Sequence, residues 1–168
     1  MSKPRESAAP HAPQALRAAL GRFATGVTII ACRDAQGTPI GLTVNSFNAL
    51  SLEPALVLWS LRAESQCIPA FQAASHFSVN VLAEGQIELS RRFARPIDDK
   101  FELGEWHDGL GGAPLLRGAL AVFECRQQSH QVAGDHVLFI GEVLHLQERS
   151  GPALVYQGGH YRQMGELL

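Results

Sequence analysis

Four short patches set hydroxyl, amide and imidazole groups inside otherwise apolar stretches. They are Arg22-Phe23-Ala24-Thr25-Gly26-Val27-Thr28, Gly41-Leu42-Thr43-Val44-Asn45-Ser46-Phe47, Asn80 within HFSVNVL, and Gly134-Asp135-His136 ahead of VLFIGEV. Polar groups inside strands are costly unless partnered, so such patches mark internal hydrogen bonds or a ligand. Taken singly, each has a plain structural account. Gly26 can close a helix, and Thr43, Asn45 and Ser46 can be a polar strand face running into a turn. Asn80 can face solvent from a half-buried strand, and Asp135 suits a turn. Chemistries with compact signatures are absent. No G-x-G-x-x-G stands between a strand and a helix, and there is no G-x-x-x-x-G-K-[ST] and no G-x-S-x-G. No H-E-x-x-H or compact His/Cys cluster occurs, so no metal site is expected.

Composition narrows the class. The chain has 168 residues, 46% apolar and 18% charged, which suits one globular domain. Its formal net charge of −2 gives no long-range attraction to nucleic acid or to an anionic membrane. The three cysteines, Cys32, Cys67 and Cys125, are odd in number and lack C-x-x-C spacing. They read as free thiols of a reducing, cytoplasmic compartment, with Cys32 and Cys67 as small buried hydrophobes. Residues 1–13 hold no apolar run of the secretory kind and read as a flexible N-terminal arm ahead of a domain over 14–168. No apolar run is long enough to span a bilayer.

Strands must position the patches. Leu16, Ala19, Leu20 and Phe23 predict a helix from Pro13 that stops at Gly26. Val27–Arg33, Thr38–Val44, Ala55–Leu61 and His76–Leu82 read as strands, with a turn at 34–37 and a loop or broken strand over 45–53. Ser65 can cap a short helix holding Ile68, Phe71 and Ala74, and a further helix covers Gln86–Phe93. Residues 94–116 are irregular, as lids and partner-binding loops often are. Arg117–Gln127 and a strand over His130–Gln147, bent near Gly134 or Gly141, follow. Short strands close around Gly158-Gly159. About seven strands and three helices, not regularly alternating, favour an antiparallel barrel over a doubly wound sheet.

In order and spacing the chain resembles the flavin reductase family with the FMN-binding split-barrel fold. The resemblance runs through LRAALGRFATGVTII (16–30), GLTVNSFNALSLEPALVLWSL (41–61), HFSVNVLAEGQIELSRRFA (76–94), KFELGEWHDGLGGAPLL (100–116), GDHVLFIGEV (134–143) and GGHYR (158–162). It implies a mainly β fold, a β-barrel with peripheral helices: a six-stranded antiparallel split barrel, commonly a homodimer with flavin at the subunit interface. It also implies an NAD(P)H:flavin oxidoreductase that reduces FMN or FAD by hydride transfer and supplies reduced flavin to a partner monooxygenase. FMN is favoured over FAD, and NADH against NADPH is open.

By the same resemblance, Thr43, Val44, Asn45 and Ser46 lie along the flavin ring and ribityl chain. Ser60, Arg62, Ser65 and Gln66 hold the phosphate. Cys67 stands where many relatives carry a second Ser or Thr. Asn80, Val81 and Leu82 border the other side, and Phe93, with Arg91 or Arg92, closes over the ribityl or adenylate end. His136 is the catalytic candidate, positioning the nicotinamide rather than taking a proton. An alternative is a non-catalytic flavin- or haem-binding split-barrel sensor or carrier; His136 favours the enzyme. A cofactor-free interaction protein is the third reading, disfavoured by the buried polar patches.

Overall fold

Thr28–Arg33 is apolar without alternation because both of its faces are covered, as in strands buried on two sides. Ile30 and Cys32 point into one core with Trp59, Phe71, Phe77, Val79, Cys125 and Phe139. Val27 and Ile29 belong to a second core on the other face, with Leu82, Leu89, Phe93, Leu115, Leu116 and Leu154. Inside the first core Trp59 stacks on Phe139 at 4.5 Å and meets Phe71 edge-on at 4.8 Å.

The computed structural model describes residues 12–166. Helix α1 (Pro13–Leu20) leads into β1 (Thr25–Gly26), β2 (Thr28–Arg33), β3 (Pro39–Val44), β4 (Asn48–Leu52) and β5 (Ala55–Arg62). Then come α2 (Ile68–Ala73), β6 (His76–Val81), α3 (Ile87–Phe93), β7 (Trp106–Asp108) and β8 (Pro114–Leu116). The long hairpin β9 (Ala121–Ala133) and β10 (His136–Glu148) and the short β11 (Val155–Gln157) and β12 (His160–Arg162) complete the chain. Seven strands form one antiparallel sheet in the order β3-β2-β6-β9-β10-β5-β4. No ladder joins its two ends, β3 and β4. The loop after β3 is instead pinned to β5, where the Ser46 hydroxyl donates to the Ser60 carbonyl (2.8 Å) and accepts the Ser60 N–H (3.0 Å). The result is a mainly β barrel, open along one side.

The sheet has seven strands rather than six, because the segment read as a loop or broken strand supplies β4 at the edge. Helix α1 stops at Gly21, not Gly26. Gly21 lies so close to the Gly158 turn that an added Cβ would meet the Gly158 Cα at 3.4 Å, and its carbonyl accepts the Gly158 N–H at 2.8 Å. Gly26 pairs with Val155 in β1 instead. The periodic residues Leu16, Leu20 and Phe23 stay exposed. The turn between the long strands falls at Gly134-Asp135, so His130 belongs to β9. Gly141 marks a register shift where an added Cβ would run into the Phe77 ring. Residues 94–116 are no loose lid: β7 and β8 form a hairpin tied to the sheet through Arg33–Asp108 and Ser78–Pro114. The arm expected over 1–13 lies outside the described residues except for Ala12 and Pro13, which begin α1.

Candidate active site

A cavity of about 640 Å³ opens between β3, the turn leading into α2, and the chain that follows α3. Its size is in the range of ligand sites, about 300–1,000 Å³. One wall is aromatic. Phe93, at the end of α3, meets Phe101 edge-on at 5.0 Å, and Trp106 packs on both rings. Gly41 allows this wall to lie flat on β3, since a Cβ there would stand 2.9 Å from ring atoms of Phe93 and of Phe101. The cavity is also lined by the polar residues of the α2 turn, Ser65 and Gln66, with Cys67 beside them. The Ser65 hydroxyl accepts the Cys67 N–H (3.3 Å), and the Ser65 N–H donates to the Arg62 carbonyl (3.0 Å). Thr43 completes the set, its hydroxyl donating to the Ser90 carbonyl at 2.7 Å and tying β3 to α3.

Five of the residues named from sequence thus line one cavity: Thr43, Ser65, Gln66, Cys67 and Phe93. Others lie outside the cavity lining. Asn45 is exposed at the bend after β3, and Ser46 and Ser60 clasp each other. Arg62 is exposed and pairs with Glu64 at 3.3 Å. His136 sits directly across the β5–β10 ladder from Arg62, and the Asp135 carbonyl accepts the Ala63 N–H at 2.9 Å. The GDH turn is therefore fastened to the turn that carries Ser65. Arg91 and Arg92 are engaged elsewhere, with Glu88 and with Asp99.

Three named positions lie inside the fold. Val44 and Leu82 are core side chains. Asn80 is fully buried rather than solvent-facing, and its amide is spent on the protein. Its Nδ2 donates to the Ile29 carbonyl (3.1 Å) and the Ser78 hydroxyl (3.0 Å), and its Oδ1 accepts the Leu116 N–H (2.8 Å). The alternation in HFSVNVL misleads here because the β7–β8 hairpin covers the face that would otherwise meet solvent. Val81 is half-buried beside it, its carbonyl accepting the Leu120 N–H at 2.8 Å.

Sequence reading missed Lys100 and Phe101. Both line the cavity, but they fall in a segment without periodicity. The signal available was the rarity of lysine: only Lys3 and Lys100 occur in the chain. The Lys100 ammonium donates to the Gly41 carbonyl (3.1 Å) and the Phe93 carbonyl (3.3 Å). Desolvation holds its pKa below the ordinary lysine value.

The thiols separate in the same way. Burial pushes Cys32 and Cys125 up to about 12. Cys67 is not a buried hydrophobe; it is half-exposed on the cavity wall. Reactivity follows thiolate content and access. Native protein at pH 8 is expected to give one fast-reacting thiol per chain in a disulfide-exchange colour assay, and three after denaturation. Three fast thiols in the native state, or none, would contradict this placement.

Residues 20–165 match the family model described as "Flavin reductase like domain". The chain is 44% identical over 148 residues to FMN reductase (NADH) SmoA of Agrobacterium fabrum, covering 88% of this chain and 84% of that one. It is 43% identical over 147 residues to the reductase component of the flavin-dependent trigonelline monooxygenase of Acinetobacter baylyi, covering 87% of this chain and 47% of that one. The chain thus spans about half the length of some curated relatives and over four-fifths of others. Among solved structures, the NADH:FAD oxidoreductase SgcE6 of Streptomyces globisporus, in complex with NAD and FAD fragments, superposes with a TM-score of 0.86. The identity is 34%, covering 94% of this chain and 98% of that one.

Proposed function

This chain belongs to the flavin reductase like family, and on that premise we propose that it is an NAD(P)H:flavin oxidoreductase serving a flavin-dependent monooxygenase. The observation that carries the reading is the cavity itself. Aromatic Phe93 and Phe101 line it together with hydroxyl-, amide- and ammonium-bearing Thr43, Ser65, Gln66 and Lys100. That lining suits a molecule that combines a planar apolar ring with a phosphate, so flavin fits the residues present. Bound flavin supplies the hydride acceptor and, once reduced, the product.

The chain's own residues bind and orient. Thr43 and the bend at Asn45-Ser46 border the ring and ribityl chain, and Ser65 and Gln66 face the phosphate end. Asn80, Val81 and Leu82 act from behind, by holding the wall in place rather than by side-chain contact. His136 positions the nicotinamide, because hydride transfer needs proximity and ring alignment rather than a protein acid. FMN is the favoured flavin, and NADH the favoured donor because relatives are named for it.

A homodimer is part of this reading. It is supported by the exposed leucines of edge strand β4, where Leu52 is 95% exposed, and by Leu144 and Leu146 at the end of β10. A cytoplasmic location is supported by three free cysteines. The partner oxygenase is supported by relatives named as reductase components of monooxygenases.

The test is absorbance at 340 nm with NADH or NADPH and FMN, FAD or no flavin. Oxidation that requires added flavin and exceeds the flavin-only control supports the enzyme. Flavin binding without oxidation would favour a carrier instead.

A further inference from the structure

A second cavity, of about 380 Å³, opens where the chain after β8 meets the end of β10, and it shares no residue with the one described above. Its volume falls at the small end of the range of ligand sites. Part of its lining is buried and apolar: Leu116, Ala119 and Val122. Arg117, Glu148 and Arg149 line it too, and all three are exposed. The backbone fixes both arginines. The Arg117 N–H donates to the Glu105 carbonyl and the Arg149 N–H to the Leu120 carbonyl, each at 2.8 Å. Gly118, next to Arg117, has φ +82°, and a Cβ there would stand 3.8 Å from Arg149 Nη1, so that guanidinium comes close to the glycine. Arg33, Arg62, Arg91, Arg92 and Arg126 each pair with a carboxylate, whereas among the described residues Arg117 and Arg149 pair with none. Glu148 is the one carboxylate in the lining, so two cations stand there against one anion.

A concave surface with a surplus of one charge concentrates the opposite one. A guanidinium matches a carboxylate through two parallel hydrogen bonds. The buried apolar lining rewards a ligand with an apolar body, which an inorganic ion lacks. We propose that this cavity is a second binding site, for a small organic carboxylate with a compact apolar body, its charged end held by Arg117 and Arg149. The site is separate from the flavin cavity and stands whether or not the flavin reading does.

Benzoate is the probe, titrated into the full chain labelled with ¹⁵N, and backbone amide resonances report both affinity and place. Saturable shifts should appear at the Gly118 and Ala119 amides. Benzyl alcohol keeps the ring without the charge, and acetate keeps the charge without the ring. Each should bind about tenfold more weakly than benzoate or worse. R117Q and R149Q should each lower benzoate affinity by about tenfold, and R117K and R149K should recover part of it. Both arginines are exposed, so these variants leave the core intact. E148Q removes the opposing carboxylate and should bind benzoate at least as tightly. No saturable shift in the wild type would overturn the proposal, as would shifts confined to the Thr43 and Ser65 amides of the flavin cavity. Equal binding of benzyl alcohol would reduce the site to an apolar hollow, and equal binding of inorganic phosphate would reduce it to a bare anion site; either result ends the proposal. So does unaltered affinity in R117Q and R149Q, or weaker binding in E148Q.

Discussion

Replacing Asn80 by alanine should destabilise the protein by about 2–4 kcal/mol, the cost of stranding buried backbone groups. The side chain is fully buried and joins three separate pieces of chain: Ile29 of β2, Ser78 of its own strand, and Leu116 of β8. Alanine leaves the Leu116 N–H without an acceptor in a core where Leu116 itself is 2% exposed. The Ile29 carbonyl keeps its ladder position but loses its extra donor. Urea denaturation gives the energy, and hydrogen exchange at the Leu116 amide gives the location. A loss below about 1 kcal/mol, with Leu116 still protected, would show that water or a shifted hairpin replaces the amide. Flavin affinity should fall only as far as the Phe93–Trp106 wall loosens. Asn80→Asp should be at least as harmful, because it replaces the donor with a buried charge.

Replacing His136 by alanine should lower kcat/KM for NADH by about 100-fold, the penalty expected when a reacting group loses its alignment. The FMN dissociation constant should change little, because His136 lies at the end of the β5–β10 ladder and not in the cavity wall. Its Nδ1 lies 2.8 Å from the Asp135 carboxylate. With Nδ1–H donating there, the turn itself holds the orientation of the ring. The hydrogen bond from His136, and then its charge, hold the Asp135 carboxyl below its ordinary value. A depressed carboxyl favours the ionised, paired form above the ordinary Asp pKa, and that preference is lost as pH falls through the lowered value. The pairing is thus intact at neutral pH, and Asp135→Asn should cost less activity than loss of the ring. Collapse of flavin binding in H136A, with the dependence on NADH unchanged, would move His136 to the flavin side.

Local chemistry accounts for what could be read early. The β-branched run of β2, the Asp34–Gly37 turn, the apolar β5 and the Gly158-Gly159 close are near-neighbour features, and each appears where the residues put it. The Asp34 carboxylate, for instance, accepts the Gln36 and Thr38 N–H groups within its own turn. The ordered patches carried the family, and the family match over 20–165 agrees.

Positions whose role depends on distant chain were another matter. Alternation in β6 marks Asn80 as outward-facing, and only the β7–β8 hairpin, more than twenty residues on, makes that face an interior. Helical spacing carried α1 past Leu20, but contact with the Gly158 turn stops it at Gly21. Arg62 and Lys100 are both cations near a polar turn, and packing against Gly41 and Phe93 sends Lys100 to the cavity while Glu64 holds Arg62 outside. Sequence by itself determined the family, the barrel class and the segments that border the cavity, because these rest on local propensity and on patch order. Tertiary structure alone decided which side chains face the cavity and which are spent inside the fold, because burial and hydrogen-bond partners are set by residues remote in the chain.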